Sequence, residues 1–223
     1  DNGLLLRDDV TASAFTLTPI VLTTSENLND IALSLGTIQR AYVAGASGTL
    51  VSIPDIFAPV PSIAAPKPSQ NFNGVALVPN SSGTVMVVGN NSVVFTYNTN
   101  VSTGITSGAK IKPVFTPALN DVNFANTQNG YIVGSKEIIR HTSNGGLTWQ
   151  YVLPDAAGGG FNIPTLNGVW TTQNDKAIII GDNGYKATIA GVTASENSLA
   201  TVAVLKDVAI NNSIGIGYIV GDA

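Results

Sequence analysis

The sequence predicts an all-β fold, a β-propeller of about five four-stranded blades, and three observations carry that reading. Two short apolar phrases recur in the same order five times along 223 residues. Their period suits a blade of four short strands. The chain stops where an internal copy runs on, and it begins with the missing continuation.

The first phrase is Leu28-Asn29-Asp30-Ile31, then Phe72-Asn73-Gly74-Val75, Leu119-Asn120-Asp121-Val122, Leu166-Asn167-Gly168-Val169 and Leu205-Lys206-Asp207-Val208, at spacings of 44, 47, 47 and 39 residues. It is expected to form the innermost strand, with its Asp or Gly in a tight turn at the mouth of a central channel. The second phrase is an apolar run ending in Gly: Ala41–Gly45, Val85–Gly89, Gly130–Gly134, Ala177–Gly181 and Gly217–Gly221. These runs are β-branched, short and bounded by Gly and Asn, as strands buried on both faces are. Tyr42, Tyr131 and Tyr218 share one position in them and are expected in the core. A third element follows at Thr49–Val51, Val93–Phe95, Glu137–Arg140 and Tyr185–Ile189. A 3.6-residue apolar period is absent, which argues against helical repeats of similar length.

The ends then fall into place. Gly217–Asp222 matches the run that leads into Gly181-Asp182-Asn183-Gly184-Tyr185, and Asp1-Asn2-Gly3-Leu4-Leu5-Leu6-Arg7 resumes it. Residues 1–223 therefore read as one domain with blades at 28–71, 72–118, 119–165 and 166–204. A last blade is shared between 205–223 and 1–27, so that pairing of the terminal segments closes the ring and leaves no open sheet edge. No Met opens the chain, and Asp1 reads as a processed end or a cut.

Composition narrows the chemistry. Ten Lys and Arg against fourteen Asp and Glu give a net charge of −4. That balance disfavours nucleic acid, whose phosphates need clustered positive charge. With 44% hydrophobic and 11% charged residues the chain is no disordered tail. No apolar stretch is long enough to insert in a membrane as a helix. The absence of Cys removes disulfides, thiol catalysis and cysteine zinc sites, and a single His removes most triads. His141 has no acid, base or metal partner apparent in the sequence. No metal or other cofactor is expected.

Residues Thr142-Ser143-Asn144-Gly145-Gly146-Leu147-Thr148-Trp149 resemble the Asp-box, or bacterial neuraminidase repeat, Ser/Thr-x-Asp-x-Gly-x-Thr-Trp, with Asn144 in place of Asp. The longer stretch 119–151 resembles the propeller repeat of photosystem II stability/assembly factors. The resemblance implies a structural hairpin between a third and a fourth strand, made by Thr142, Asn144, Gly146, Thr148 and Trp149. Those assembly factors are larger, seven-bladed rings with a basic patch, and this chain has neither their length nor their charge.

An enzyme is not expected. A sialidase-type site needs three convergent arginines, and Arg7, Arg40 and Arg140 fall at positions that do not converge; the three Glu, at 26, 137 and 196, lie in turns or outer strands. Asp30, Asp121 and Asp207 share one repeat position at the channel mouth, but Gly74 and Gly168 replace them in two blades. Gly can fill a turn and cannot replace a catalytic carboxylate, so each Asp is expected to cap its own turn. Trp170 is the large aromatic most able to face the channel. The Pro-rich segment 53–68 departs most from the repeat, and its Ile53, Ile56, Phe57, Val60 and Ile63 form an apolar strip suited to docking a protein. Gly158-Gly159-Gly160 reads as a connection between blades. The sequence thus points to a non-enzymatic structural or protein-interaction module of a larger assembly, with a carbohydrate-binding or glycosidase-like propeller as the alternative. Low charge, abundant Asn, Thr, Ser and Gly, and Asn-x-Ser sequons at Asn80, Asn90, Asn100 and Asn211 suggest an extracellular, cell-surface, virion or periplasmic setting.

Overall fold

A computed structural model describes residues 3–8, 17–35, 39–64, 69–79, 81, 83–100, 104–111, 117–154, 164–172 and 175–222. The Gly158–Gly160 connection, Asp1, Asn2, Asn80 and the 65–68 end of the Pro-rich segment lie outside the described residues.

The chain opens with a two-stranded sheet, β1 (Leu5–Asp8) and β2 (Leu17–Ile20). Three antiparallel four-stranded sheets follow. The first is β3 (Leu28–Leu35), β4 (Gln39–Gly45), β5 (Leu50–Ile53) and β6 (Ser62–Ile63). The second is β7 (Phe72–Leu77), β8 (Thr84–Gly89), β9 (Val93–Asn100) and β10 (Gly104–Ile111). The third is β11 (Leu119–Phe124), β12 (Gly130–Gly134), β13 (Ile138–Thr142) and β14 (Gln150–Tyr151). Then β15 (Leu153–Pro154) crosses to the next sheet, where it pairs in parallel with the outer strand of β16 (Leu166–Thr171), β17 (Lys176–Gly181), β18 (Lys186–Ala190) and β19 (Thr193–Glu196). A second two-stranded sheet, β20 (Val204–Asn211) and β21 (Ile216–Asp222), ends the chain.

The recurrent phrases become recurrent strands for simple reasons. The Gly-ended runs are the second strands β4, β8, β12, β17 and β21, and β-branched residues fit a pleated surface packed from both sides. A turn of the 3₁₀ type joins second to third strand at Ala46–Gly48, Asn90–Ser92 and Asp182–Gly184. Its middle residue is left-handed, with φ of 51° at Ser47, 56° at Asn91 and 57° at Asn183. Small polar residues tolerate that region best after Gly. Gly3 and Gly184 adopt φ of 66° and 68°, and a Cβ on either would lie 2.6 Å from a carbonyl oxygen, that of Thr24 or Thr201. The turn at Gly3 thus repeats the geometry of the turn at Gly184.

The core lies between blades. Tyr42 and Ala44 pack with Phe72 and Val75; Met86 and Val88 with Leu119 and Val122; Tyr131 and Val133 with Leu166 and Val169; Ile178 and Ile180 with Leu205 and Val208. At each interface the second and fourth residues of a five-residue Gly-ended run pack on the inner strand of the next blade. The expectation for Tyr218 fails. Tyr42 and Tyr131 are 1% and 0% exposed, whereas Tyr218 is 79% exposed, because no further blade covers β21. The two terminal sheets stay separate here, with β1–β2 packed through Leu5 and Ile20 on Ala41 and Val43.

Candidate functional site

The five inner strands β3, β7, β11, β16 and β20 line one central cavity of about 920 Å³. Each inner strand carries a β-bulge within the repeated phrase, where the pairing slips between Leu28 and Asp30, Phe72 and Gly74, Leu119 and Asp121, Leu166 and Gly168, and Leu205 and Asp207. A bulge re-aims side chains locally. Here it turns the extra residue toward the neighbouring blade.

The result is a ladder of amide side chains. Asn29 Nδ2 donates to the Phe72 carbonyl at 2.7 Å, Asn73 to Leu119 at 2.8 Å, Asn120 to Leu166 at 2.8 Å and Asn167 to Leu205 at 2.9 Å. In these four copies the Asn holds the first residue of the phrase one blade further on. The fifth copy has Lys206 at this place, and its ammonium pairs instead with Asp222 at 2.6 Å within its own hairpin.

The carboxylates sit inside strands, after the bulge, and correct the expectation of a cap confined to its own turn. Asp30 Oδ1 accepts from its own neighbour Ile31 N–H at 2.7 Å, but Oδ2 accepts from Val75 N–H of the next blade at 2.7 Å. Asp121 repeats this with Val122 at 2.7 Å and Val169 at 2.8 Å. Asp207 accepts from Val208 N–H at 2.7 Å through Oδ1. Glycine takes the Asp position at 74 and 168. A Cβ on Gly74 would stand 2.8 Å from the Asp121 Cα, and one on Gly168 would stand 3.4 Å from the Asp207 Cα. A side chain at Gly74 does not fit against the next blade, whereas the 3.4 Å at Gly168 is ordinary contact.

Burial pushes the Asp30 carboxyl up from 3.8 to about 6, with a smaller contribution from the charge of Asp207. Burial likewise holds Asp121 well above the usual carboxylate range, with Asp30 the next cause; the backbone N–H donors of Val169 and Val122 oppose it. Arg40 is a cation on the cavity wall, and its Nε is buried without a hydrogen-bond partner among the described residues. Trp170 also lines the cavity, half-buried, and donates from Nε1 to Asn212 Oδ1 at 3.2 Å. Among the described residues no three His, Cys, Asp or Glu side chains are grouped to hold a metal ion.

Away from the channel, the Thr142–Trp149 hairpin joins β13 to β14 and closes on itself. Thr142 Oγ1 accepts from Gly146 N–H at 2.9 Å, Asn144 Oδ1 accepts from Thr148 N–H at 2.9 Å, and Thr142 and Asn144 bond each other at 2.9 Å. Trp149 lies edge-on to Phe124, with ring centres 6.1 Å apart. The Pro-rich segment divides. Ile53 is buried, Ile56 packs beside it on β1–β2, and Ile63 pairs with Val51 as a short fourth strand. Phe57 and Val60 are 69% and 73% exposed. Arg7 of β1 donates to the Ile56 and Phe57 carbonyls at 3.1 and 3.3 Å, while Arg140 stacks 3.5 Å over the Tyr151 ring, so the arginines are dispersed. His141 does have a partner: its Nε2 lies 3.2 Å from Asp175 Oδ1 in the next blade, against the Tyr131 ring. The 34 residues between them in sequence concealed the pair.

No family model matches the chain, and no curated protein does. Solved structures do. A structure described as YCF48 bound to D1 peptide superposes with a TM-score of 0.63 at 13% identity, covering 91% of this chain and 62% of that one. YCF48 from Cyanidioschyzon merolae gives a TM-score of 0.62 at 17% identity, covering 86% of this chain and 63% of its own. The fold is that of a β-propeller. The chain matches less than two thirds of the length of either YCF48 structure, and at these identities the likeness speaks for the fold.

Proposed function

We propose that this chain is a non-enzymatic β-propeller serving as a structural or protein-interaction module of a larger extracellular, cell-surface or virion assembly. In this reading the two terminal half-blades together make a fifth blade that closes the ring, and the Thr142–Trp149 hairpin is an Asp-box with a scaffolding role. One observation carries it: Asp30 and Asp121 each give one carboxylate oxygen to a backbone N–H of their own strand and the other to a backbone N–H of the next blade. Both carboxylates are thereby tied into the packing of blade on blade, which suits a scaffold. The YCF48 structure with a bound D1 peptide supports a protein as the ligand class. The proposed contact is the exposed part of the Pro-rich strip, at Phe57 and Val60.

The test is isolation of the tagged chain from its source under mild conditions, with the stoichiometry of whatever stays bound. The native chain should retain a protein in fixed ratio, and Phe57→Asp with Val60→Asp should lose it. Equal retention by that variant would sink the strip as the contact. Loss only on Arg40→Ala with Trp170→Ala would move the contact to the channel.

A further inference from the structure

One charge on the wall of the central cavity has no partner. Arg40 is half-buried there, its Nε is cut off from solvent, and its guanidinium makes neither a hydrogen bond nor an ion pair with any described residue. The other two arginines are engaged, Arg7 on the carbonyls of Ile56 and Phe57 and Arg140 over the Tyr151 ring. A cation drawn out of water without a counter-charge is costly. An anion in the cavity would supply that charge.

The cavity is charged unevenly along its length. Arg40 stands across from Ser34, four residues beyond Asp30 on β3. A strand rises about 3.3 Å per residue, which sets the Arg40 backbone about 13 Å along from that of Asp30. Asp121 and Asp207 share the repeat position of Asp30 and line the same end. Between the two ends, one repeat position is filled by Ala32, Ala76 and Ala209 in three blades and by Asn123 and Trp170 in the others, and all five line the cavity. Three methyl groups leave room beside the indole. Trp170 Nε1 already donates to Asn212, so the ring offers the cavity its apolar surface. Asn123 Oδ1 accepts from Thr171, which leaves the Nδ2 group as a donor on the wall.

We propose that the cavity binds a small monocarboxylate with a flat apolar body, the carboxylate on Arg40 and the body against Trp170 over the three alanines. A guanidinium fork matches a carboxylate with two parallel hydrogen bonds. The charge count favours a single negative charge, since one cation shares the cavity with Asp30, Asp121 and Asp207. A phosphate, with its second charge, would meet more repulsion than attraction. Repulsion from the acidic end also fixes the orientation of the ligand. The volume of about 920 Å³ lies within the span of small-molecule sites, about 300–1,000 Å³. This site is separate from the protein contact proposed at Phe57 and Val60, and neither reading needs the other.

Calorimetric titration of the full chain with naphthoate, and with naphthamide as its uncharged counterpart, tests the site. Naphthoate should bind at a single site, and naphthamide roughly tenfold to hundredfold more weakly, the effect of losing hydrogen bonds to a charged group. Arg40→Gln should lower naphthoate affinity by a similar factor and abolish the preference for the acid. Arg40→Lys, which keeps the charge without the fork, should fall between. Trp170→Ala should weaken both probes about threefold to tenfold. Equal binding of acid and amide by the native chain would overturn the carboxylate assignment, and that comparison needs no variant. No uptake of either probe at millimolar concentration would overturn the site itself. Unchanged naphthoate affinity in folded Arg40→Gln would place the probe elsewhere and overturn it too. Displacement of naphthoate by inorganic phosphate at equal concentration would overturn the monocarboxylate class. Phe57→Asp with Val60→Asp should bind naphthoate as the native chain does, so failure of the strip contact and failure of this site are read apart.

Discussion

The carboxylate of Asp121 joins two blades: one oxygen takes its own neighbour's N–H, and the other lies 2.8 Å from the amide nitrogen of Val169, 48 residues away. The repeated phrase is thus a fastening between blades as much as a strand.

Asp121→Ala leaves the N–H groups of Val122 and Val169 without acceptors in a packed interface. Each orphaned group costs about 1–3 kcal/mol, so the variant should lose about 2–6 kcal/mol in urea titration. A loss below that of an average surface change would show that the fastening contributes little.

Asn120→Ala should cost about 1 kcal/mol by removing the bond to the Leu166 carbonyl. Asn120→Asp should be worse, since a carboxylate cannot donate and would face that carbonyl with like charge. Melting curves of the two variants, ranked against the native chain, check the order.

Acid should stabilise this protein over a range where many are indifferent. Asp30 and Asp121 have raised values in the folded chain, so folding takes up protons there. Their contribution is full below the ordinary 3.8 and is lost as pH rises through about 6 for Asp30. Tm should therefore fall as pH rises from about 4 to about 6. Asp30→Asn with Asp121→Asn should flatten that slope, and an unchanged slope would place its origin in other groups.

Trp149→Ala removes the ring that lies against Phe124 over the hairpin base. A loss of about 2–4 kcal/mol is expected, with partner stoichiometry unchanged at temperatures where the variant is folded. Selective loss of the partner would assign the hairpin a binding role.

Much of the architecture was legible because hydrophobic pattern and turn residues repeat together. The Gly-ended runs had to be buried strands, and the Leu-Asn-Asp-Val phrase had to be a strand beside them. The purpose of Asn120 and Asp121 was not legible, since Asn and Asp read as turn residues when the bulge that re-aims them is unseen. Tyr218 was misplaced for a different cause: its own strand matches the buried copies, but burial belongs to the neighbour, and none covers it here. His141 and Asp175 share no local pattern, and only the stacking of two blades brings them within 3.2 Å.

The Asn ladder has a polarity. Each amide points to the blade made later in synthesis, across 43 to 46 residues in the first three steps and 38 in the fourth. In each step the donor lies in the earlier blade and the acceptor in the later one. The ladder therefore runs one way along the chain and stops at Asn167, because Lys206 turns back to Asp222 in its own hairpin.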